Sequence, residues 1–564
     1  MTFQVSPGVN VSEVDKTTVV PSILTTSGAF AGSFSWGPAN KRILIDSEDT
    51  LKATFGKPND STFIDYYTAS SFLAYGNNLT VVRSVGANTK NACVTTAVKI
   101  DNTDIYQQTY QNGTTNAQGA FAAKYSGTLG NGLVISVIDA GCNFPGWQVN
   151  GQNVASYFSG APGTSAAVHA KNGANDEIHI IVMDATGKFT GSANTVLEVF
   201  PYLSKASDSV DPYGTSNYYK NALLNGSRYV YAIDPVSYAT TSSTWGLSGT
   251  TNFQTLTSVV KSELTGGVDD LGTSGDLEIA YELFANADEV DISLIITGDA
   301  SYTVQKYVSD MALARKDCVV FVSPPASAVV NVLGSELSNI QTWNSNLNVS
   351  SSYVVADSGW KYMFDKYNNV YRWIPLNGDI AGLCVYTDSI RDAWYSPAGF
   401  NRGNIRNVVK LAWNPNKTQR DELYRIGINP VSTFPGQGTV LYGDKTLQAK
   451  PSAFDRINVR RLFIILEKTI AKASKYSLFE FNDEFSRAQF VALVTPFLRE
   501  IQGRRGIYDF KVICDSTNNT GNIIDTNQFV GDIYIKPTRS INFIQLNFVA
   551  VGTGVDFTEI VGSA

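Results

Sequence analysis

Apolar positions fall into short runs broken by glycine, proline and asparagine, and their period changes along the chain. Residues 29–34 read as a strand that ends at Trp36-Gly37-Pro38. Residues 47–55 fit a helix with Ser47 as N-cap and Gly56 as its stop. Thr62 and Asp65 stand at capping-box spacing ahead of a second helix that runs to Tyr75 and stops at Gly76. Residues 79–85 return to a strand. Residues 88–120 are rich in Asn, Thr, Gln and Gly with weak periodicity, and predict a surface excursion. Residues 133–138 are nearly continuously apolar. Residues 178–183, the turn Asp184-Ala185-Thr186-Gly187 and Phe189 predict a hairpin, and residues 229–233 another strand.

The clearest unit lies at 276–323. Leu277, Ala280, Tyr281 and Phe284 recur at helical spacing, and residues 292–296 and 319–322 read as buried strands. Between them Val304, Tyr307, Val308 and Met311 fall at i, i+3, i+4 and i+7, so the segment predicts a parallel βαβ unit. Farther on, residues 454–476 predict a long helix and 485–501 a second, which Pro496 should kink or restart. Residues 508–514 read as a strand, and residues 533–535 and 541–548 as a hairpin around Pro537-Thr538-Arg539. Both ends look like extended arms without a core of their own: residues 1–22, anchored by Val5, Val9 and Val11, and residues 550–564, anchored by Val555, Phe557 and Ile560. No repeat of 20–50 residues is visible, which disfavours solenoids and propellers.

At 564 residues the chain is long enough for three or four domains at about 150 residues each. Hydrophobic residues make up 43% and charged residues 16%, the latter well under the roughly 25% of average soluble chains. Such a chain hides much of its surface, in itself or in an assembly. No apolar run approaches the about 20 residues of a spanning helix, and the N-terminus carries no secretory pattern. A net charge of -7 disfavours a nucleic-acid coat. Charge is nevertheless split. Residues 398–564 hold 21 Lys+Arg against 15 Asp+Glu, a net of +6, which leaves -13 for the remainder.

Catalytic chemistry is sparse. Only His169 and His179 exist, without HExxH or G-x-S-x-G spacing, and no phosphate-binding glycine loop is present. The turns after the βαβ strands, Thr297-Gly298-Asp299 and Ser323-Pro324-Pro325, lack a phosphate cradle. Asp269, Asp270, Asp276 and Glu278 form an acidic loop without EF-hand spacing. Five scattered cysteines predict reduced, mostly buried thiols. No catalytic residue, metal or cofactor is expected.

Several motifs then stand in a familiar order: AFAGSFSWGPA (29–39), FGKP (55–58), FLAYGNNLTVVR (72–83), KYSGTLGNGL (124–133), LTGGVDD (264–270), KYNNVYRWIPLNGDIAGLC (366–384), WYSPAGFNRGNI (394–405), FDRINVRRLF (454–463), CDSTNN (514–519) and IKPTRSINFIQLNFVA (535–550). The chain resembles the tail sheath proteins of contractile-tailed bacteriophages of the myovirus type. The resemblance implies an α/β and α+β multidomain protein. An outer α/β region (23–397) would precede an inner α+β domain (398–549) facing a tube, with arms at 1–22 and 550–564 adding strands to neighbouring copies. It implies a structural subunit, not an enzyme. That subunit would polymerise as stacked hexameric rings around a tail tube protein, meet baseplate and tail terminator proteins, and contract to drive the tube through the host envelope. It would be assembled in the host cytoplasm and reside in the virion tail, without nucleic-acid binding or membrane insertion. Arg456, Arg460 and Arg461 are then candidate tube contacts. Large family members carry a protruding domain where this chain has only residues 88–120, so that protrusion is expected to be absent or reduced. A secretion-system or bacteriocin sheath would share the architecture. An α/β enzyme built on the βαβ unit, or a capsid or adhesin protein, would be a different use of the same elements.

Overall fold

A computed structural model describes residues 24–111, 118–234, 244–542 and 544–546. The arm residues Val5, Val9, Val11, Val555, Phe557 and Ile560 lie outside the described residues. The chain divides into two compact units, residues 1–479 and 480–564.

The first unit is built on a seven-stranded sheet. Strand β1 (Gly28–Gly32) is buried at all five positions, as a central parallel strand covered on both faces must be. Strand β2 (Arg42–Ile45) lies antiparallel at the sheet edge. Helix α1 (Glu48–Phe55) starts as expected, with the Ser47 hydroxyl accepting from the Thr50 amide, and stops at Gly56, whose φ of 78° suits glycine. Helix α2 (Phe63–Leu73) begins differently from expectation. Thr62 makes no cap; its hydroxyl bonds Asn59 instead. Asp65 accepts the Ser33 amide at 2.7 Å, so tertiary structure takes the carboxylate that a capping box would use. Strand β3 (Leu79–Arg83) then pairs parallel with β1.

The chain leaves this sheet after Arg83 and rejoins it at Leu294. Residues 88–111 are more than a surface excursion. Helix α3 (Thr103–Thr109) is capped by Asn102. Tyr106 is fully buried and stacks on Tyr231 at 4.1 Å between ring centroids, and Asn91 is buried with bonds to Ile100 and Ala123. Side-chain burial, not apolar periodicity, holds this segment in place. Strands β4 (Leu133–Asp139), β5 (Glu177–Asp184), β6 (Thr195–Ser204) and β7 (Val260–Glu263) form an antiparallel sheet in the order β7-β4-β5-β6. Leu133, Ile135 and Val137 enter one core and Val134 and Ile138 another, which explains the continuous apolar run. The return strand starts at Thr195, beyond Phe189, because the Asp184 carboxylate organises the loop by accepting the amides of Lys188, Phe189 and Thr190.

Helix α4 (Ser274–Glu282) opens with a complete Thr273–Asp276 capping box. Strand β8 (Leu294–Ile296), helix α5 (Tyr302–Arg315) and strand β9 (Val319–Val322) form the predicted parallel βαβ unit, with Leu294 opposite Val319. Helix α6 (Glu336–Leu347) leads to strand β10 (Val354–Asp357). Strands β11 (Trp360–Asp365), β12 (Val370–Pro375) and β13 (Lys410–Leu411) form a separate antiparallel sheet. Helix α7 (Asn377–Ile390) follows β12, and β14 (Ile428–Asn429) closes the main sheet, whose order is β14-β10-β9-β8-β1-β3-β2. Strand order reverses between β1 and β8, so right-handed crossovers place α2 on one face and α5 and α6 on the other. Helix α7 packs on α2, and α4 on α5.

Helix α8 (Ile457–Ser474) carries the expected amphipathic stripe, and its Ile457 and Ile464 join the same core as Phe30 and Val320. The compact division falls after Phe479, because β14 and α8 complete the first unit. The second unit consists of helix α9 (Glu484–Gly503) and strands β15 (Ile507–Ile513) and β16 (Asp532–Pro537). Helix α9 runs unbroken through Pro496, which lies on its exposed side. There the carbonyl deprived of a partner can be hydrated. Strand β16 pairs with β15, not with residues 541–548, whose described members carry no strand.

Candidate assembly surfaces

The second unit carries an incomplete sheet. Strands β15 and β16 pair only with each other among the described residues, and a two-stranded sheet is marginal alone in water. Among the described residues neither outer edge has a strand partner for its backbone amide and carbonyl groups. Tyr508 and Tyr534 are 66% and 59% exposed, and Ile541, Ile544 and Leu546 are more so. Helix α9 has two apolar stripes. Phe490, Val494, Leu498 and Ile501 are buried. Ala488, Val491, Ala492 and Thr495, at i, i+3, i+4 and i+7, line an open groove of about 570 Å³ whose other wall includes Val512 and Cys514 of the β15 side. Sequence reasoning missed this groove because a helix apolar on two sides reads simply as buried.

The three arginines expected to face a tube are engaged within the chain. The Arg461 guanidinium makes 2.8 and 2.6 Å bonds to the two Asp388 oxygens. Burial alone would depress its pKa, but the Asp388 charge holds it above the ordinary arginine value. Arg460 is 6% exposed, sits between the Tyr353 and Phe454 rings at 4.2 and 4.1 Å, and has its pKa lowered by burial. Arg456 pairs with Asp444 at 3.2 Å and Asp455 at 3.5 Å. A cation buried beside its counter-charge is committed to the fold. Exposed cations of the second unit include Arg499, Arg504 and Arg505.

The place where a doubly wound sheet binds ligands, beyond the carboxyl ends of its strands, is filled by the chain itself. Asn377 donates to the Gly298 carbonyl at 2.7 Å and to Ser323 Oγ at 3.0 Å, and Ser323 Oγ donates to Asp357 at 2.6 Å. Burial pushes the Asp357 carboxyl up to about 7. Beside it Lys361 and Asp379 form a buried ion pair at 2.8 Å. These groups bond one another at the carboxyl ends of the strands. Both His179 ring nitrogens are also committed, one to the Gly160 carbonyl at 2.8 Å and the other to the Tyr202 amide at 3.0 Å. In the acidic loop, Asp269 accepts the Thr128 amide and Asp270 those of Asn88 and Gly272. Among the described residues no group of acidic, histidine or cysteine side chains is arranged to hold a metal, and no helix is long and apolar enough to cross a membrane. The five cysteines are free thiols.

Three segments match described domains: residues 28–83 the tail sheath protein Gp18 domain III N-terminal region, residues 282–447 the phage tail sheath protein central domain, and residues 449–550 the phage tail sheath C-terminal domain. The tail sheath protein of Vibrio phage KVP40 is 35% identical, with 99% of each chain covered. This chain belongs to the phage tail sheath family. The sheath protein of Enterobacteria phage T4 is 33% identical over 99% of both chains. The sheath tail protein of Listeria innocua shares the fold, with a TM-score of 0.52 over 91% of this chain and 95% of that one at 13% identity. The alignment with the Vibrio phage sheath protein runs over 707 positions against 564 residues here. That relative therefore carries well over a hundred residues without a counterpart in this chain.

Proposed function

We propose that this sheath protein polymerises as stacked hexameric rings around a tail tube and contracts from a metastable extended state, driving the tube through the host envelope. The observation that carries the reading is the two-stranded sheet of the second unit, without a further strand at either edge among the described residues, beside an exposed apolar groove. In this reading the arms of adjacent copies, residues 1–22 and 550–564, add strands to β15 and β16 by β-augmentation. Alternate side chains such as Val5, Val9 and Val11, or Val555 and Phe557, enter the groove. About 4–6 added backbone hydrogen bonds at roughly 0.5–1.5 kcal/mol each hold an arm by about 2–9 kcal/mol. That keeps copies linked while their bodies rotate.

The driving force comes from new contact between bodies. Burial of about 400 Å² of apolar surface supplies on the order of 10 kcal/mol per subunit as an upper bound. Contact with the tube, in contrast, must release cooperatively, which suits screened surface charge. The role first expected of Arg456, Arg460 and Arg461 passes here to the exposed Arg499, Arg504 and Arg505. Baseplate and terminator proteins bound the polymer at its two ends, assembly takes place in the host cytoplasm, and the outer protrusion of larger relatives is absent or reduced to the 88–120 segment.

The test is removal of residues 1–15. The truncated chain should remain a folded monomer that forms no sheaths under negative-stain microscopy. Normal polymerisation of the truncated chain would refute the arm mechanism. Changing Arg499, Arg504 and Arg505 to Glu should weaken assembly around tubes more than tube-free polymerisation; equal effects would show that these cations do not meet the tube.

A further inference from the structure

The small sheet β11–β12–β13 presents an aromatic face that is left partly exposed among the described residues. Strand alternation puts Tyr362 and Phe364 of β11, Tyr371 and Trp373 of β12 and Lys410 of β13 on one side. The rings form one surface: Tyr362 lies 5.4 Å from Tyr371 and 4.6 Å from Trp373, and Phe364 5.2 Å from Tyr371. Phe364 and Tyr371 are 43% and 51% exposed. The Lys410 ammonium rests 5.0 Å from the Tyr362 centroid and 5.6 Å from that of Trp373. Single exposed rings need no explanation, but contiguous aromatic surface marks an interaction site. The other side of this sheet is the folded side. Lys361, Met363 and Asp365 are buried, and β12 packs on α2.

The opposite face of the main sheet carries a surface of complementary chemistry. On helix α4 Ile279 is 62% exposed, and Leu271 ahead of that helix and Tyr302 at the start of α5 are 42% and 49% exposed. Asp276, Glu278 and Glu282 lie on the same helix. Asp276 is used as a cap and Glu282 accepts the Tyr307 hydroxyl, and none of the three forms an ion pair among the described residues. Lys410 likewise has no acidic partner among the described residues. One face is therefore aromatic with a cation that has no ion-pair partner among the described residues, and the other is aliphatic with carboxylates that have none there. Helix α4 packs with α5, whereas the aromatic sheet packs on α2, across the seven-stranded sheet. The two faces cannot meet within one chain.

We propose that the aromatic face of β11–β13 docks on the α4 face of a second copy of this chain. A two-fold dimer would bring like against like, cation facing cation. Pairing unlike faces is a heterologous, head-to-tail contact, which propagates into rings or helical filaments. The proposal rests on the reading that the chain polymerises, and adds a body-to-body contact distinct from the arms. Charge complementarity sets its register, and the aromatic and aliphatic groups supply its desolvated centre.

The experiment uses the full chain carrying Cys142→Ser, which removes the half-exposed thiol. Lys410→Cys and Glu278→Cys are introduced together and separately, polymers are grown, and a flexible bismaleimide is added. The doubly substituted chain should cross-link into a ladder of dimers, trimers and higher species on a denaturing gel. An equal mixture of the two singly substituted chains should stop at dimers, and either alone should not cross-link. Polymers visible by microscopy without cross-links overturn this contact while leaving the sheath reading intact. Failure of the unsubstituted chain to polymerise overturns both. Charge reversal supplies a second measure: Lys410→Glu and Glu278→Lys should each lower polymer yield, and their combination should restore it. No restoration overturns the proposal.

Discussion

Arg461→Met separates an arginine committed to the fold from one that faces a tube. The Arg461 and Asp388 side chains are 4% and 6% exposed, and the guanidinium holds both carboxylate oxygens while reaching the Cys384 and Thr25 carbonyls at 3.4 Å. Removing the cation leaves the Asp388 charge buried without its partner, a loss of about 3–5 kcal/mol. With a urea slope of about 3 kcal/mol per M, the unfolding midpoint of the isolated chain should fall by about 1–1.7 M. Arg461→Lys keeps the charge but loses the fork, and should cost about 1–2 kcal/mol. Arg461→Met combined with Asp388→Leu removes both charges and should recover most of the loss, with a coupling of at least about 2 kcal/mol. The assay is urea unfolding of monomeric chain followed by tryptophan fluorescence, with no tube present. An unchanged midpoint for Arg461→Met, or strictly additive single effects, would refute the reasoning. A tube-facing arginine would leave this midpoint alone and act only on co-assembly.

Three further outcomes are expected. The Asp357 carboxyl is raised to about 7 by burial and by the nearby Asp379 charge, opposed by bonds from Ser323 and Gly359. Between pH 4 and 7 the folded state then holds a proton that the unfolded state has lost, so this group makes stability fall as pH rises through that window and level off above it. Asp357→Asn should flatten the slope measured by thermal unfolding; an unchanged slope would show that the group does not titrate there. Gly378→Ala should destabilise by about 1–3 kcal/mol, because its Cβ would stand 2.4 Å from the Thr68 carbonyl of α2; at an open helix site the same change gains about 1 kcal/mol, so the sign of the shift in denaturation midpoint decides. Ala492→Glu, on the exposed groove of α9, should change monomer stability by under about 0.5 kcal/mol yet abolish sheath formation in microscopy; intact sheaths would exclude the groove as an arm site.

The amino-acid order alone determined the elements whose signals are local. The βαβ unit at 292–323 was legible because a strand buried on both faces must be apolar throughout, and the helix between them must show a 3.6-residue stripe. Ser47 and Gly56 mark the ends of α1 through bonds and backbone angles internal to that helix. The ordered motifs were enough to indicate the sheath family. What required tertiary structure is contact between residues far apart in sequence. Arg461 is 73 residues from Asp388, and no periodicity distinguishes that pairing from the nearby Asp455 or Glu467. Asp65 left its capping box for Ser33. A two-residue strand, Ile428–Asn429, extended the main sheet past the boundary expected at 398. The open groove on α9 and the aromatic face of β11–β13 are equally invisible in one dimension. Apolarity in the sequence states that a residue will leave water, and only the folded chain decides whether it does so against its own core or is left for another molecule.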